Sequence, residues 1–320
     1  MKAIVYEHYG SPDVLVREEI EKPAPGDDEV LIKVRAASIN PLDRHIMRGR
    51  PVPLRIAFGL RKPKIRPGRD VAGQVETVGR KVTQFKPGDE VFGACSGALA
   101  EYACARESAL VTKPNNMTFE QAASVPVAAL TALQGLRDKG QLRPGQKVLI
   151  NGAGGGVGTF AVQIAKSFGA DVTGVCSTGK MDMVRSIGAD RVIDYTQEDF
   201  TQGVQRYDLI FDLVATHSLP AYRRVLNPNG ICVPAGGPTR VRSILVLAFE
   251  VLVLSRFVSQ SFVMFVAKLS QEDLTLLREL METGKITPVI DRRYRLNEVP
   301  QAMRYLEEGH ARGKVVITLD

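Results

Sequence analysis

Residues 146–158 read Gln-Lys-Val-Leu-Ile-Asn-Gly-Ala-Gly-Gly-Gly-Val-Gly, a short apolar strand running into a glycine cluster and then into a helix-like stretch, Thr159 to Phe168. That order is a dinucleotide-binding turn. Glycines let the backbone turn tightly and approach a pyrophosphate, and the helix N-terminus behind them offers unpaired N–H groups and positive dipole charge. Ala153 occupies the first glycine position, with Gly155 and Gly158 at the second and third, so strict GxGxxG spacing is not met and the run alone is weak evidence. Ala153, Gly155, Gly156, Val157 and Gly158 are the candidate pyrophosphate-holding residues. NAD enzymes commonly place an acid about 20 residues past such a turn, on the ribose 2′-OH. Here that place reads Cys176-Ser177-Thr178-Gly179-Lys180. A lysine with two hydroxyls suits a 2′-phosphate, because charge-assisted hydrogen bonds are the stronger kind, and Ser177, Thr178 and Lys180 therefore favour NADPH over NADH. Asp182 is the competing feature, as a helix-start acid or a ribose ligand.

A glycine-rich surface loop would share the run, and the surrounding pattern separates the two readings. Val148 to Ile150 reads as a strand, Thr159 to Phe168 as a helix with Phe160, Val162, Ile164 and Ala165 apolar, and Ala170 to Cys176 as a second strand. Helix Met181 to Ile187, strands Arg191 to Tyr195 and Tyr207 to Val214, helix Leu219 to Leu226 and strand Gly230 to Ala235 follow, the last after the turn Asn227-Pro228-Asn229-Gly230. Strands alternating with helices imply a parallel, doubly wound sheet.

Residues 1–120 have a different texture. Ala3 to Tyr6, Val14 to Ile20, Val30 to Ile39, Val71 to Val78, Glu90 to Ala94, Ala100 to Ala105 and Leu110 to Lys113 are strand-like, with turns such as Pro25-Gly26-Asp27-Asp28 and Lys86-Pro87-Gly88-Asp89 between them. A helix, Phe119 to Leu136, leads to the glycine turn. The last fifty residues offer a helix, Gln271 to Thr283, and a strand, Lys314 to Leu319, too little for a domain, so they are expected to return to the first half. At 320 residues two compact units are expected, a β-rich 1–122 completed by 270–320 and a dinucleotide-binding 123–269. No apolar leader with a cleavage site follows Met1, and Cys95, Cys104, Cys176 and Cys232 lie far apart without CxxC spacing. A cytoplasmic protein with reduced, mostly buried thiols is the expectation.

Several motifs in order carry a family resemblance. Ala36-Ala37-Ser38-Ile39-Asn40-Pro41-Leu42-Asp43, Pro67-Gly68-Arg69-Asp70-Val71-Ala72-Gly73 and Lys86-Pro87-Gly88-Asp89-Glu90-Val91-Phe92-Gly93 are followed by Leu130-Thr131-Ala132-Leu133, Gly155-Gly156-Val157-Gly158, Gly188-Ala189-Asp190 and Gly313-Lys314-Val315-Val316. Spanning nearly the whole chain, they resemble the medium-chain dehydrogenase/reductases, in particular the zinc-independent, zeta-crystallin-like quinone oxidoreductases. The resemblance implies an α/β fold with a GroES-like β-barrel domain and a Rossmann domain, and a homodimer. It places Asn40 and Thr131 beside the nicotinamide, with Asp43 ordering a substrate or water. It also puts Tyr195 near the 2′-phosphate, and adds Val214 and Gly236 to the cofactor-binding set. Each catalytic candidate has a plainer reading: Asn40 before Pro41 is a good turn residue, Asp43 could cap a helix, and Thr131 could face a helix neighbour.

Zinc-dependent relatives place Cys where Asn40 stands and Gly-His-Glu where this chain has Gly68-Arg69-Asp70. A catalytic zinc needs three Cys, His or carboxylate ligands and a structural zinc four, and neither set is recognisable here, so no metal is expected. His8, His45, His217 and His310 are scattered, and only His45, two residues past Asp43, could donate a proton. Without zinc the reaction must need no strong Lewis acid. Hydride transfer from NADPH to a quinone or to the β-carbon of an α,β-unsaturated carbonyl qualifies, because the acceptor's conjugation takes the charge. An NADPH-binding adaptor or sensor with little turnover, and a zinc-free alcohol or carbonyl dehydrogenase, remain as alternatives.

The chain has a formal charge of +7, and its positive excess lies in one segment, since Arg44 to Arg69 contains nine basic residues and no acidic one. With one aromatic, Phe58, and no known binding module, the segment does not point to nucleic acid. A solvated loop is the plain reading. The other is weak contact with an anionic membrane surface or attraction of an anionic substrate, joined to the apolar runs Ile244 to Leu254 and Phe257 to Val266, which read as helices lining a channel or an interface.

Overall fold

The computed structural model describes residues 1–236 and 259–319. By internal contacts the chain divides into two compact units, Met1–Leu130 with Leu269–Asp320, and Thr131–Lys268.

The first unit opens with β1 (Lys2–Tyr6), β2 (Leu15–Glu19) and β3 (Glu29–Ile39), then two short helices, α1 (Pro41–Arg48) and α2 (Leu54–Phe58). β4 (Asp70–Val78), β5 (Glu90–Ala94), β6 (Tyr102–Arg106) and β7 (Leu110–Thr112) follow, and α3 (Phe119–Ala123) precedes α4 (Pro126–Gln134), which carries the chain into the second unit. There lie β8 (Lys147–Asn151), α5 (Gly156–Ser167), β9 (Asp171–Cys176), α6 (Met181–Ser186), β10 (Arg191–Asp194), β11 (Tyr207–Asp212), α7 (Leu219–Val225), β12 (Leu226–Pro234) and β13 (Ser261–Phe262). The chain ends in the first unit with α8 (Gln271–Glu282), β14 (Ile290–Arg295), α9 (Val299–Glu307) and β15 (Lys314–Thr318).

In the first unit β3 is buried over residues 30–32 and 36–39, with only Lys33 and Arg35 turned to solvent, and it is the hub of a seven-stranded sheet ordered β14-β15-β3-β4-β5-β7, with β6 also paired to β3. β15 lies antiparallel to β3, with Val316 opposite Ser38, so the C-terminal segment is part of this unit's core beside Ile39, Val71 and Leu99. The second unit's six strands are all parallel in the order β10-β9-β8-β11-β12-β13. Counted along the chain this is 3-2-1-4-5-6, the Rossmann order, whose strand ends form the ligand-facing edge.

The α/β fold with a GroES-like domain and a Rossmann domain is as the sequence implied, and four local readings differ. The single helix expected over Phe119 to Leu136 is broken at Ser124–Val125, because Pro126 has no N–H and its predecessor avoids helical geometry; Pro126 starts α4 instead. β12 begins at Leu226 rather than Gly230, with Asn229 at φ 62 and a register shift opposite Tyr207/Leu209 taking up the turn. β14 and α9 were not anticipated. Phe257 to Val266 is no helix from residue 259 on: Phe262 is buried as an edge strand on β12, where sheet pairing satisfies its backbone. Ile244 to Leu254 lies outside the described residues.

Candidate functional site

In the second unit the site is built at the carboxyl ends of the strands. β8 runs apolar and buried to Asn151, and the chain then turns through Gly152 at φ 88, a conformation that favours glycine. A Cβ on Gly158 would lie 2.1 Å from the carbonyl oxygen of Gly152, so only glycine lets α5 pack this closely on the turn. Beyond the N-cap Gly155, the N–H groups of Gly156, Val157 and Gly158 fall in the first turn, where a helix supplies no intrahelical acceptor. Among the described residues a Cβ on Gly155 would touch only the Gly152 oxygen, at 3.4 Å, so the backbone there is uncovered by them. Buried Ala153 instead packs inward, donating its N–H to the Val175 carbonyl at 3.0 Å.

The end of β9 brings the expected residues to that turn. A Cβ on Gly154 would lie 2.7 Å from Cδ of Lys180, so the lysine's aliphatic stem lies across the glycine loop. Ser177 is half-buried at the start of this segment. Thr178 donates its hydroxyl to Asp194, whose other oxygen accepts from the N–H and hydroxyl of Thr196. These hydrogen bonds hold the Asp194 carboxyl below the usual carboxylate range, and the Thr178 proton is already committed. Tyr195 is 59% exposed, and its N–H donates to the Cys176 carbonyl at 3.1 Å. Asp182 is fully exposed and pairs with Arg185 at 3.0 Å on α6, which makes it a helix-start acid.

Sequence reasoning missed the residue that shapes the opposite wall. Asp212, buried at the end of β11, accepts from Asn151 Nδ2 at 2.9 Å, Tyr222 Oη at 2.6 Å, and the N–H groups of Val214 and Ala215 at 3.1 and 3.0 Å. Val214, 48% exposed, reaches the glycine turn, since a Cβ on Gly152 would meet its Cγ2 at 2.8 Å. The Gly236 N–H donates to the Asp212 carbonyl at 3.1 Å.

The first unit holds a separate, buried polar cluster where β3, α1, β4 and β15 converge. Asp70 is fully buried, and its Oδ2 accepts from Ser38 Oγ at 2.6 Å, Asn40 Nδ2 at 2.8 Å and Lys314 Nζ at 3.3 Å. Its Oδ1 accepts from the Val127 N–H in the first turn of α4, where the helix dipole favours an anion. Lys314 also donates to Asn40 Oδ1. Asp43 closes a capping box on α1 by accepting the Asn40 N–H at 2.8 Å. Burial, with Asp70 adding like charge, pushes its pKa up to about 7. His45 is held below its ordinary value by burial and by Arg44. Thr131 lies half-buried on α4, in the second unit. In this unit Asp70 and Lys314, like Asp212 in the other, are functional candidates not singled out from sequence.

Two family models match the chain, one described as alcohol dehydrogenase GroES-like domain over residues 26–115 and one as zinc-binding dehydrogenase over 187–317. The chain is 36% identical over 332 residues to the 2-methylene-furan-3-one reductase of Solanum lycopersicum, covering 99% of the chain and 79% of that protein. The chain is a medium-chain dehydrogenase/reductase. Its curated relatives place it with the quinone oxidoreductases and enone reductases of the zeta-crystallin-like branch. The NADPH-dependent alkenal/one oxidoreductase of Arabidopsis thaliana is also 36% identical, over 99% of this chain and 79% of that one. Among solved structures, the quinone oxidoreductase from Coxiella burnetii superposes with a TM-score of 0.87 at 31% identity, covering 100% of this chain and 99% of that one.

The polar cluster differs in content from a zinc site. Zinc-dependent members, by the family pattern given above, carry a cysteine at Asn40 and a histidine at Arg69. Here the oxygens of Asn40 and Asp70 both face an ammonium group, Lys314 Nζ. A metal cation does not fit between acceptors that already hold a cation. Among the described residues, no group of three or more His, Cys, Asp or Glu side chains could hold a metal ion.

Proposed function

We propose that this chain is an NADPH-dependent, zinc-independent reductase that transfers hydride to a quinone or to an α,β-unsaturated carbonyl. The observation that carries the cofactor is Lys180 lying against the glycine turn where an NAD enzyme would present an acid. The residues fit the group: bare backbone at Gly155, first-turn N–H groups of α5 for the pyrophosphate, and a lysine for the 2′-phosphate. Relatives that are enone reductases and quinone oxidoreductases support the acceptor class.

When bound, NADPH supplies the hydride. The chain's part is to bind, orient and manage protons. Asp212, itself fixed by Asn151 and Tyr222, holds the loop bearing Val214 through the N–H groups of Val214 and Ala215. By resemblance to the family, Asn40 and Thr131 are assigned beside the nicotinamide, with Asp43 ordering a substrate or water. Asp43 is the group in that set able to exchange a proton near neutral pH, because its carboxyl is raised to about 7. His45, held neutral by burial, is a weaker donor. A cytoplasmic homodimer completes the proposal. Four free cysteines suit a reducing compartment, and light scattering of the purified protein tests the dimer.

A steady-state assay decides the main reading. Loss of NADPH absorbance that depends on a simple quinone or enone is expected. Saturable NADPH binding without acceptor-dependent consumption would leave the adaptor reading in its place.

A further inference from the structure

We propose that the face carrying Val52, Ile56 and Leu60 docks the protein on an anionic lipid surface. These side chains are 64, 79 and 71% exposed, and they recur every fourth residue through the turn before α2, α2 itself and the turn after it. Val52 and Ile56 are one turn apart and share a face, and Leu60 follows as an exposed apolar residue beyond Gly59, whose φ of 122 ends the helix. The segment is anchored from behind, since Phe58 and Ile65 pack against the first unit's core. Its apolar side chains are therefore divided between an inward set that holds the segment down and an outward set left exposed.

The charges around them say what covers that face. Of the nine bases between Arg44 and Arg69, some are committed: Arg48 makes two hydrogen bonds to the Glu307 carboxylate, and Arg55 stacks on Tyr9 and donates to the Gly49 carbonyl. Arg50, Arg61, Lys62, Lys64 and Arg66 are exposed and form no ion pair with a described residue. Outward apolar side chains interleaved with uncommitted cations, and no acid within the segment, form the pattern of an element lying in a bilayer interface. There the apolar groups enter the acyl boundary while Lys and Arg stay at the headgroups. A second copy of this chain is a poor occupant, because an isologous contact would set the same cations against themselves. Nucleic acid is also poor, because the segment's one aromatic, Phe58, faces inward. No helix among the described residues is long and apolar enough to cross a membrane; the contact proposed is a peripheral one. It does not depend on what the enzyme reduces.

Co-sedimentation of the full chain with vesicles free of any quinone tests this. Binding is expected to phosphatidylcholine vesicles doped with phosphatidylglycerol and not to pure phosphatidylcholine. It should be lost near 1 M salt, where the Debye length falls to about 3 Å. Replacing Arg61, Lys62 and Lys64 by Gln should lower partitioning at least tenfold, since each surface-near base is worth about fivefold. The separate pair Ile56→Ser and Leu60→Ser should also lower it, while melting of both variants stays at the wild-type temperature. No binding to anionic vesicles at low salt overturns the proposal. So does unchanged binding in both variants, or equal binding to neutral vesicles. Conversion of a dimer to a monomer by the serine pair would assign the face to a second copy and overturn it as well.

Discussion

Lys314 donates to the carboxamide oxygen of Asn40 at 2.5 Å, with both side chains buried, and so ties the last strand to the residue that caps α1. The Asn40 amide nitrogen donates to Asp70. With a cation on its oxygen and a carboxylate on its nitrogen, the amide has one stable orientation, because a flip would set like partners together.

Replacing Lys314 by Met is therefore expected to destabilise the protein by about 3–5 kcal/mol, since it leaves the Asp70 carboxylate buried without its cation. Adding Asp70→Asn should recover part of that loss, and Lys314→Arg should be milder than Met. A urea double-mutant cycle reads the coupling, and additive losses for Met and Asn would show that the pair does not act as a unit.

Asp43 gives the protein a pH dependence of definite sign. Burial raises its folded-state pKa from 3.8 to about 7, so over that range the folded protein holds a proton that the unfolded chain has released. Its contribution is full below pH 3.8 and is lost as pH rises to about 7, a fall on the order of 4 kcal/mol in the absence of compensation. His45 acts oppositely, because its lowered pKa makes stability rise as pH passes its ordinary value of 6.5. Asp70 carries like charge beside Asp43, while Lys314 and Arg69 oppose the shift. Asp43→Asn keeps an oxygen for the Asn40 N–H and cannot titrate, so the difference in stability between wild type and variant isolates the effect. A difference that does not change between pH 4 and 7 would mean that Asp43 is ionised throughout.

Removing metal should change nothing. Lys314 fills the space between Asn40 and Asp70, so prolonged chelation is expected to leave turnover and melting temperature unaltered. Tightly held zinc found by elemental analysis of the purified chain, at a level near one per molecule, would contradict this.

The Rossmann half was legible because its signals are local. Glycines mark the turn at 152–158, and apolar periods of two and 3.6 mark strands and helices whatever they pack on. The first unit's polar cluster is not local. Asp70 and Lys314 are 244 residues apart, and a lysine ahead of Val315-Val316 reads as an exposed strand end until β15 pairs with β3 and buries it. β14 was missed because Asp291, Arg292, Arg293 and Arg295 hide the alternation, charge on an edge strand being protective rather than core-forming. α9 did carry a signal: Pro300 stands near its start, after a turn over 296–298 in which Glu298 accepts the Arg295 N–H at 2.7 Å. Thr178 shows the opposite limit, since its type suited a phosphate while its hydroxyl is spent on Asp194.

Cofactor preference is the sharpest test of the second unit. Because Thr178 is engaged by Asp194, Lys180 is left as the principal cation for a 2′-phosphate, held at the glycine turn by its own stem against Gly154. Lys180→Ala should weaken NADPH binding by about 1.5–3 kcal/mol, roughly 10- to 150-fold, the worth of one hydrogen bond to a charged group. NADH has no phosphate there and should be nearly unaffected. Thr178→Val should cost less for NADPH than Lys180→Ala, because the hydroxyl it removes serves the protein first. Fluorescence titration of both cofactors against wild type and each variant measures this directly. Equal losses for NADPH and NADH in Lys180→Ala would show that the lysine supports the turn's structure rather than the phosphate. Tighter wild-type binding of NADH than NADPH would reverse the assignment and return attention to Asp182 as a ribose ligand.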